Sequence, residues 1–108
     1  MKIKKMHFIR FELLVMLAVM RNNKNAYGIS IREDIGKFAN MPTVGALYTT
    51  LNRLVKKGML SKQTRQPTPT RGGRAKTYFA LTKKGQRITQ ASLEIIAKAS
   101  KKVRKNEP

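Results

Sequence analysis

Leu13 to Met20 is an unbroken apolar run, LLVMLAVM. On a helix such a run is apolar on every side, and a helix of that kind is buried on every side. The run is far shorter than the ~20 residues a bilayer span needs. It follows Glu12, passes directly into Arg21 and shows no small-residue cleavage pattern, so neither a membrane anchor nor a secretory leader is expected. In a chain of 108 residues one side of this helix, read as Ile9 to Arg21, meets the local core. The other side requires a second surface, and a second copy of the chain supplies one most simply.

The punctuation after Arg21 sets out the remaining elements. Asn22 to Gly28 is polar and turn-like. Ser30, with Glu33 three residues on, has capping-box spacing and predicts a second helix over 30–39 whose Ile31, Ile35 and Phe38 share a face. Asn40, Met41 and Pro42 end it. Thr43 caps a third helix that runs to about Lys57 and stops at Gly58. Val44, Leu47, Leu51, Leu54 and Val55 form its apolar face. Residues 59–65 and 74–81 read as two strands, with Tyr78 and Phe79 on opposite faces, joined by a Pro- and Gly-bearing loop. Thr82 caps a last helix running to about Lys102, with an apolar stripe of Ile88, Ala91, Ser92, Ile95 and Ala99. That stripe has nothing after it in the chain to cover it, which again suggests dimerisation.

The resulting expectation is a mainly α domain with one small β-hairpin. It is a single domain over 1–108: a winged helix-turn-helix over 9–81, a C-terminal dimerisation helix over 82–102 and a frayed basic tail over 103–108. The surplus apolar residues predict a dimer interface of Leu13, Leu14, Leu17, Met20, Ile88, Ser92, Ile95, Ile96 and Ala99.

Charge narrows the function. The chain has 24 Lys and Arg against 5 Asp and Glu, a net charge of +19. There is no Cys, so there is no disulfide framework and no thiolate ligand or nucleophile. His7 is the only His, and Glu33 and Asp34, as neighbours on a helix, point apart. No catalytic residue, metal site or cofactor is therefore expected, and an enzyme is improbable. The partner is polyanionic: nucleic acid first, an anionic membrane surface second.

The distribution of charge points to where that partner is met. Met41 to Leu81 holds eight Lys and Arg and no acid. The outer face of the third helix carries Thr49, Asn52, Arg53 and Lys56, with Gly45 and Ala46 near its start. Small residues permit close approach, Arg and Asn suit base edges, and Lys and Thr suit phosphates. Arg53 has two open roles, a bidentate contact to guanine or a phosphate clamp, whereas Lys56 reads as a phosphate or solvated residue. Tyr48 sits at the margin of the apolar face and is either a core residue with its hydroxyl at the rim or a phosphate donor. Arg71, Arg74 and Lys76 belong to the hairpin tip and suit phosphates or a narrow minor groove. Gly72 and Gly73 are not followed by Gly-Lys-Ser/Thr, which argues against a nucleotide-binding loop. Met16 and Met20 read as core filler before ligand lining.

Three blocks of sequence resemble the PadR-like transcriptional regulators: YGISIREDI at 27–35, GALYTTLNRLVKKGML at 45–60 and PTPTRGGRAKTYFALTKKG at 67–85. The resemblance spans about residues 9–90. It implies a cytoplasmic, nucleoid-associated homodimeric repressor that binds a pseudo-palindromic operator in double-stranded DNA. The third helix, with Thr43, Gly45, Ala46, Tyr48, Thr49, Asn52, Arg53 and Lys56, would enter the major groove. The hairpin would reach the backbone or minor groove, and the first and last helices would form the dimer interface. A small hydrophobic ligand that releases the operator is a further implication. Three departures bear on that ligand: no Trp and no aromatic residue after Phe79, Arg10 where the family has a small residue, and fewer acids on the last helix. Two other readings stand beside this one. The first is a weakly specific, architectural nucleic-acid-binding protein, motivated by the size of the charge. The second is a membrane-surface or partner-binding module built on the basic last helix.

Overall fold

The computed structural model describes residues 9–65 and 76–105. Helix α1 spans Phe11–Asn22, α2 Gly28–Gly36 and α3 Val44–Lys56. An antiparallel hairpin of β1, Leu60–Arg65, and β2, Lys76–Leu81, follows, and α4, Lys83–Lys105, completes the order. His7, Arg71, Arg74 and the chain end beyond Lys105 lie outside the described residues, as do the loop glycines Gly72 and Gly73.

The core gathers one stripe from each element. Val15 and Val19 of α1, Ile31 and Ile35 of α2, Leu47 and Leu51 of α3, Leu60 of β1 and Phe79 of β2 are all buried. The α1 run is not covered on every side. Val15, Met16, Ala18 and Val19 are buried, Leu13, Leu14 and Leu17 are half-buried, and Met20 and Ile9 are exposed. The rest of the run is therefore only partly covered, with Met20 the one exposed residue in it.

Helix α1 stops at Asn23, whose φ of 50° and ψ of −120° turn the chain out of the helical path. A single 3₁₀ turn over Asn23–Asn25 leads to extended Ala26 and Tyr27. These two residues are not merely a turn. The Phe79 N–H donates to the Ala26 carbonyl at 2.8 Å, and Tyr27 forms an antiparallel bridge with Tyr78. The segment before α2 thus closes one edge of β2.

The expected Ser30 cap is corrected by this geometry. Helix α2 begins two residues earlier, at Gly28, with Tyr27 at the cap position. Ser30 is the third helical residue, and its hydroxyl accepts from the Tyr27 N–H at 3.0 Å. Because α2 ends at Gly36, Phe38 falls beyond the helix and is 60% exposed, not a core residue. The Arg21 guanidinium lies over its ring at 4.7 Å and pairs with nearly buried Asp34, joining the end of α1 to α2.

Helix α3 follows its sequence signals. Thr43 Oγ1 accepts from the Ala46 N–H at 3.1 Å, and Gly58, at φ 77°, stops it. Val44, placed on the apolar face by its spacing, is 56% exposed, because the first helical residue lies ahead of the packed turn. The Arg32 Nε–H donates to the Pro42 carbonyl at 2.6 Å, which fixes the turn between α2 and α3.

Thr82 caps α4 as expected, accepting from the Gly85 N–H at 3.0 Å and donating to the Gly58 carbonyl at 2.6 Å. Gly85 is buried against backbone. A Cβ there would overlap the Met59 carbonyl oxygen and lie 3.0 Å from both the Met59 carbonyl carbon and the Met16 methyl. Helix α4 runs three residues past the expected Lys102, and every residue from Glu94 to Lys101 is exposed.

Candidate nucleic-acid interface

The outward face of α3 presents Thr49, Asn52, Arg53 and Lys56, all exposed, with Thr43, Gly45 and Ala46 exposed at its start. None of the Thr49, Asn52, Arg53 and Lys56 side chains has a hydrogen-bond or ion-pair partner among the described residues. A Cβ added at Gly45 would meet nothing within 4 Å. Internal packing therefore does not require glycine there, although Gly in a helix is less stable than Ala by about 1 kcal/mol. Two electrostatic features bracket the far end of α3. Lys57 pairs with Glu12 of α1 at 3.0 Å, and the Lys84 ammonium donates to the Lys57 carbonyl at 3.0 Å, a favourable cation at a helix C-terminus.

Tyr48 is the residue through which α3 meets α2. It is 40% exposed, and its hydroxyl rests against Gly28 at the first turn of α2. A Cβ on Gly28 would overlap that hydroxyl and lie 2.8 Å from Cζ and 3.3 Å from Cε2. The Tyr27-Gly28 pair and Tyr48, in separate blocks of the sequence, are therefore one contact. The ring takes the packing role and leaves the hydroxyl at the rim beside the α2 N-terminus.

The hairpin contributes Lys76 at its described end, exposed and opposite Arg65 in register. Arg65 and the two tyrosines beside it, Tyr27 and Tyr78, have no site role in the sequence pattern. The Arg65 guanidinium lies 3.8 Å from the Tyr78 ring centroid, and the Lys76 ammonium 4.3 Å from that of Tyr27. The two rings meet edge to face at 5.4 Å. The signal available beforehand was the hairpin register alone, which sets Arg65 across from Lys76.

Of the nine residues expected at a dimer interface, six line one of two grooves. Leu13, Ile88, Ser92, Ile95 and Ile96 line a groove of about 560 Å³ between α1 and α4. Met20 lines a smaller groove on the other side, with Gln86 and Gln90. Leu14 packs against the core, Leu17 is half-buried, and Ala99 is exposed further along α4. Among the described residues no group of three or more His, Cys, Asp and Glu is placed to hold a metal, and no helix is long and apolar enough to cross a membrane.

Comparison with known proteins agrees with this architecture. The Transcriptional regulator PadR-like family model matches residues 16–91. A PadR family transcription regulator from Clostridium difficile superposes with a TM-score of 0.73 at 16% identity, over 87% of this chain and 94% of that one. A padR family transcriptional regulator from Eggerthella lenta gives 0.63 at 21% identity, over 87% and 83%. The protein smu.1704 from Streptococcus mutans gives 0.67 at 25% identity, over 88% and 87%. Among curated proteins nothing matches.

Proposed function

From its membership of the PadR-like family of transcriptional regulators, to which this chain belongs, we propose that it represses transcription as a homodimer on a pseudo-palindromic operator. The observation that carries this reading is the outer face of α3: acid-free, unpartnered, and bare at Gly45 where packing asks for nothing. That is the face a recognition helix lays in a major groove, its first turns deepest. Thr43, Gly45, Ala46 and Thr49 then sit nearest the base edges. Asn52 and Arg53 reach bases or phosphate. Lys56 and Lys76 contact phosphate, and Arg71 and Arg74 supply further cations for the same backbone. The Tyr48 hydroxyl donates to a phosphate at the α2 N-terminus, where unpaired N–H groups also favour an anion.

The dimer is supported by the open apolar groove between α1 and α4 and by Ile95, 68% exposed, and Ile96, 48% exposed, on a helix that projects past its own core. A small hydrophobic effector fits the same groove, which is mostly apolar and of ligand size. The place of action that follows is the cytoplasm, at the nucleoid.

Selection of bound sequences from a random duplex pool tests the reading. It predicts a palindrome with half-sites ~10 bp apart, or a multiple of that. Arg53→Ala then loses about 1–3 kcal/mol at one base position per half-site if Arg53 reads a base, and an equal loss on specific and random DNA assigns it to phosphate. The net charge of +19 favours a second reading, sequence-blind packaging of nucleic acid. A specificity ratio below ~10³ at physiological salt, with no enriched sequence, establishes that one instead.

A further inference from the structure

Arg65 and Lys76 present a problem the recognition helix does not solve. They stand directly opposite each other on β1 and β2, and like charges so placed destabilise a strand pair. Neither has a carboxylate partner among the described residues, and no Asp or Glu occurs anywhere from Met41 to Leu81. Each instead lies over a tyrosine ring. The order Lys76, Tyr27, Tyr78, Arg65 is continuous, with contacts of 4.3, 5.4 and 3.8 Å. A ring face attracts a cation without neutralising it, so the rings hold the charges in place and leave the N–H groups to bond outward. The seam is also anchored. Tyr27 is bridged to Tyr78 through the backbone, and its neighbour Gly28 carries the Tyr48 hydroxyl. One surface therefore runs from α3 through the start of α2 to the hairpin.

We propose that this seam is a second phosphate-contact site, in which Arg65 and Lys76 bind the DNA backbone and Tyr27 and Tyr78 are positioning residues that aim them. The proposal rests on the DNA-binding reading and goes beyond it by assigning Arg65 and both tyrosines. A polyanion fits because two fixed cations on neighbouring strands, both lacking counter-ions, match successive phosphates, and their stacking lowers the ordering cost on binding. No base reading is involved, so the contact is independent of DNA sequence.

The test uses the full-length chain and a random-sequence duplex of ~30 bp, with affinity followed from 50 to 200 mM salt. Each phosphate contact contributes about 0.9 to the slope of log affinity against log salt, hence about 3.5-fold across that range. Arg65→Gln and Lys76→Gln are each expected to shrink the salt-induced loss by about 3.5-fold per protomer. Tyr78→Phe, which keeps a ring face, should retain the wild-type slope, and Tyr78→Leu should lower it. If the wild type fails to bind the duplex, the DNA-binding reading itself falls. If the wild type binds and Arg65→Gln and Lys76→Gln keep its slope, the seam proposal falls together with the Lys76 phosphate contact, and DNA binding by the α3 face stands. A Tyr78→Leu variant that melts earlier but keeps the slope removes the positioning role, since a packing defect changes the folded fraction and not the number of phosphates engaged.

Discussion

Replacing Gly28 by Ala is the most informative single change, because it acts on a contact between two separate parts of the chain. The new Cβ would lie 2.8 Å from Tyr48 Cζ and 3.3 Å from Cε2, against the ~3.5–4.0 Å that carbon pairs prefer. The ring must withdraw by roughly 1 Å, and since Tyr48 is 40% exposed it can move toward solvent. The lost packing costs about 1–3 kcal/mol, the range for overfilled sites. Against this, Ala in place of Gly in the first turn of α2 returns about 0.5–1 kcal/mol. The net expectation is a destabilisation of about 1 kcal/mol when Tyr48 is present. In a Tyr48→Ala background the obstacle is gone and Gly28→Ala becomes neutral or stabilising. Urea denaturation of the four proteins therefore gives a coupling of about 1–2 kcal/mol. Duplex affinity should fall in Gly28→Ala as in Tyr48→Phe, since a hydroxyl displaced by 1 Å leaves hydrogen-bond range. If Gly28→Ala costs the same within ~0.5 kcal/mol in both backgrounds, the two residues are not coupled and the account of this contact is wrong.

Gly45→Ala should behave in the opposite way: more stable by up to about 1 kcal/mol in thermal melts, yet weaker on DNA, because the added methyl meets nothing inside the protein. A variant that melts higher and binds equally well would remove Gly45 from the interface. Gly85→Ala should destabilise by at least the ~1–3 kcal/mol of an overfilled core, since its neighbour is Met59 backbone and not a movable side-chain tip; an unchanged urea midpoint would contradict this. Ile95→Asp should raise the dimer dissociation constant in sedimentation velocity by ~100-fold or more, from two apolar side chains left uncovered at about 1.5–3 kcal/mol each. An assembly state indifferent to this change would place the interface elsewhere.

What the sequence made legible was what local chemistry controls. Helix α3 was bounded correctly because Thr43 and Gly58 act on their own neighbours. The start of α2 was misplaced because Ser-x-x-Glu spells a capping box that the chain does not use. Ser30 serves instead as the third helical residue of a box opened by Tyr27. Tertiary pairing made that choice, since the residues before α2 are held as an edge of the sheet. The outer face of α3 could be read from period alone, including its lack of acid. The tyrosine–cation seam could not, because Tyr27 and Tyr78 meet only through the fold and Arg65 faces Lys76 only through hairpin register. The open groove was foreshadowed by apolar surplus on α1 and α4, although only part of the expected set lines it.

The bridge between Tyr27 and Tyr78 makes the interval between α1 and α2 intolerant of changes in length. From Asn23 to Tyr27 each residue is committed: a stop at positive φ, a single helical turn, then two residues that must reach β2 in register. One inserted residue would move Tyr27 off its partner and turn the following side chain to the opposite face. The same insertion would pull Gly28 from beneath Tyr48. Natural length variation among relatives should therefore collect elsewhere, and a tag or reporter placed in this interval would disable the recognition helix without touching it.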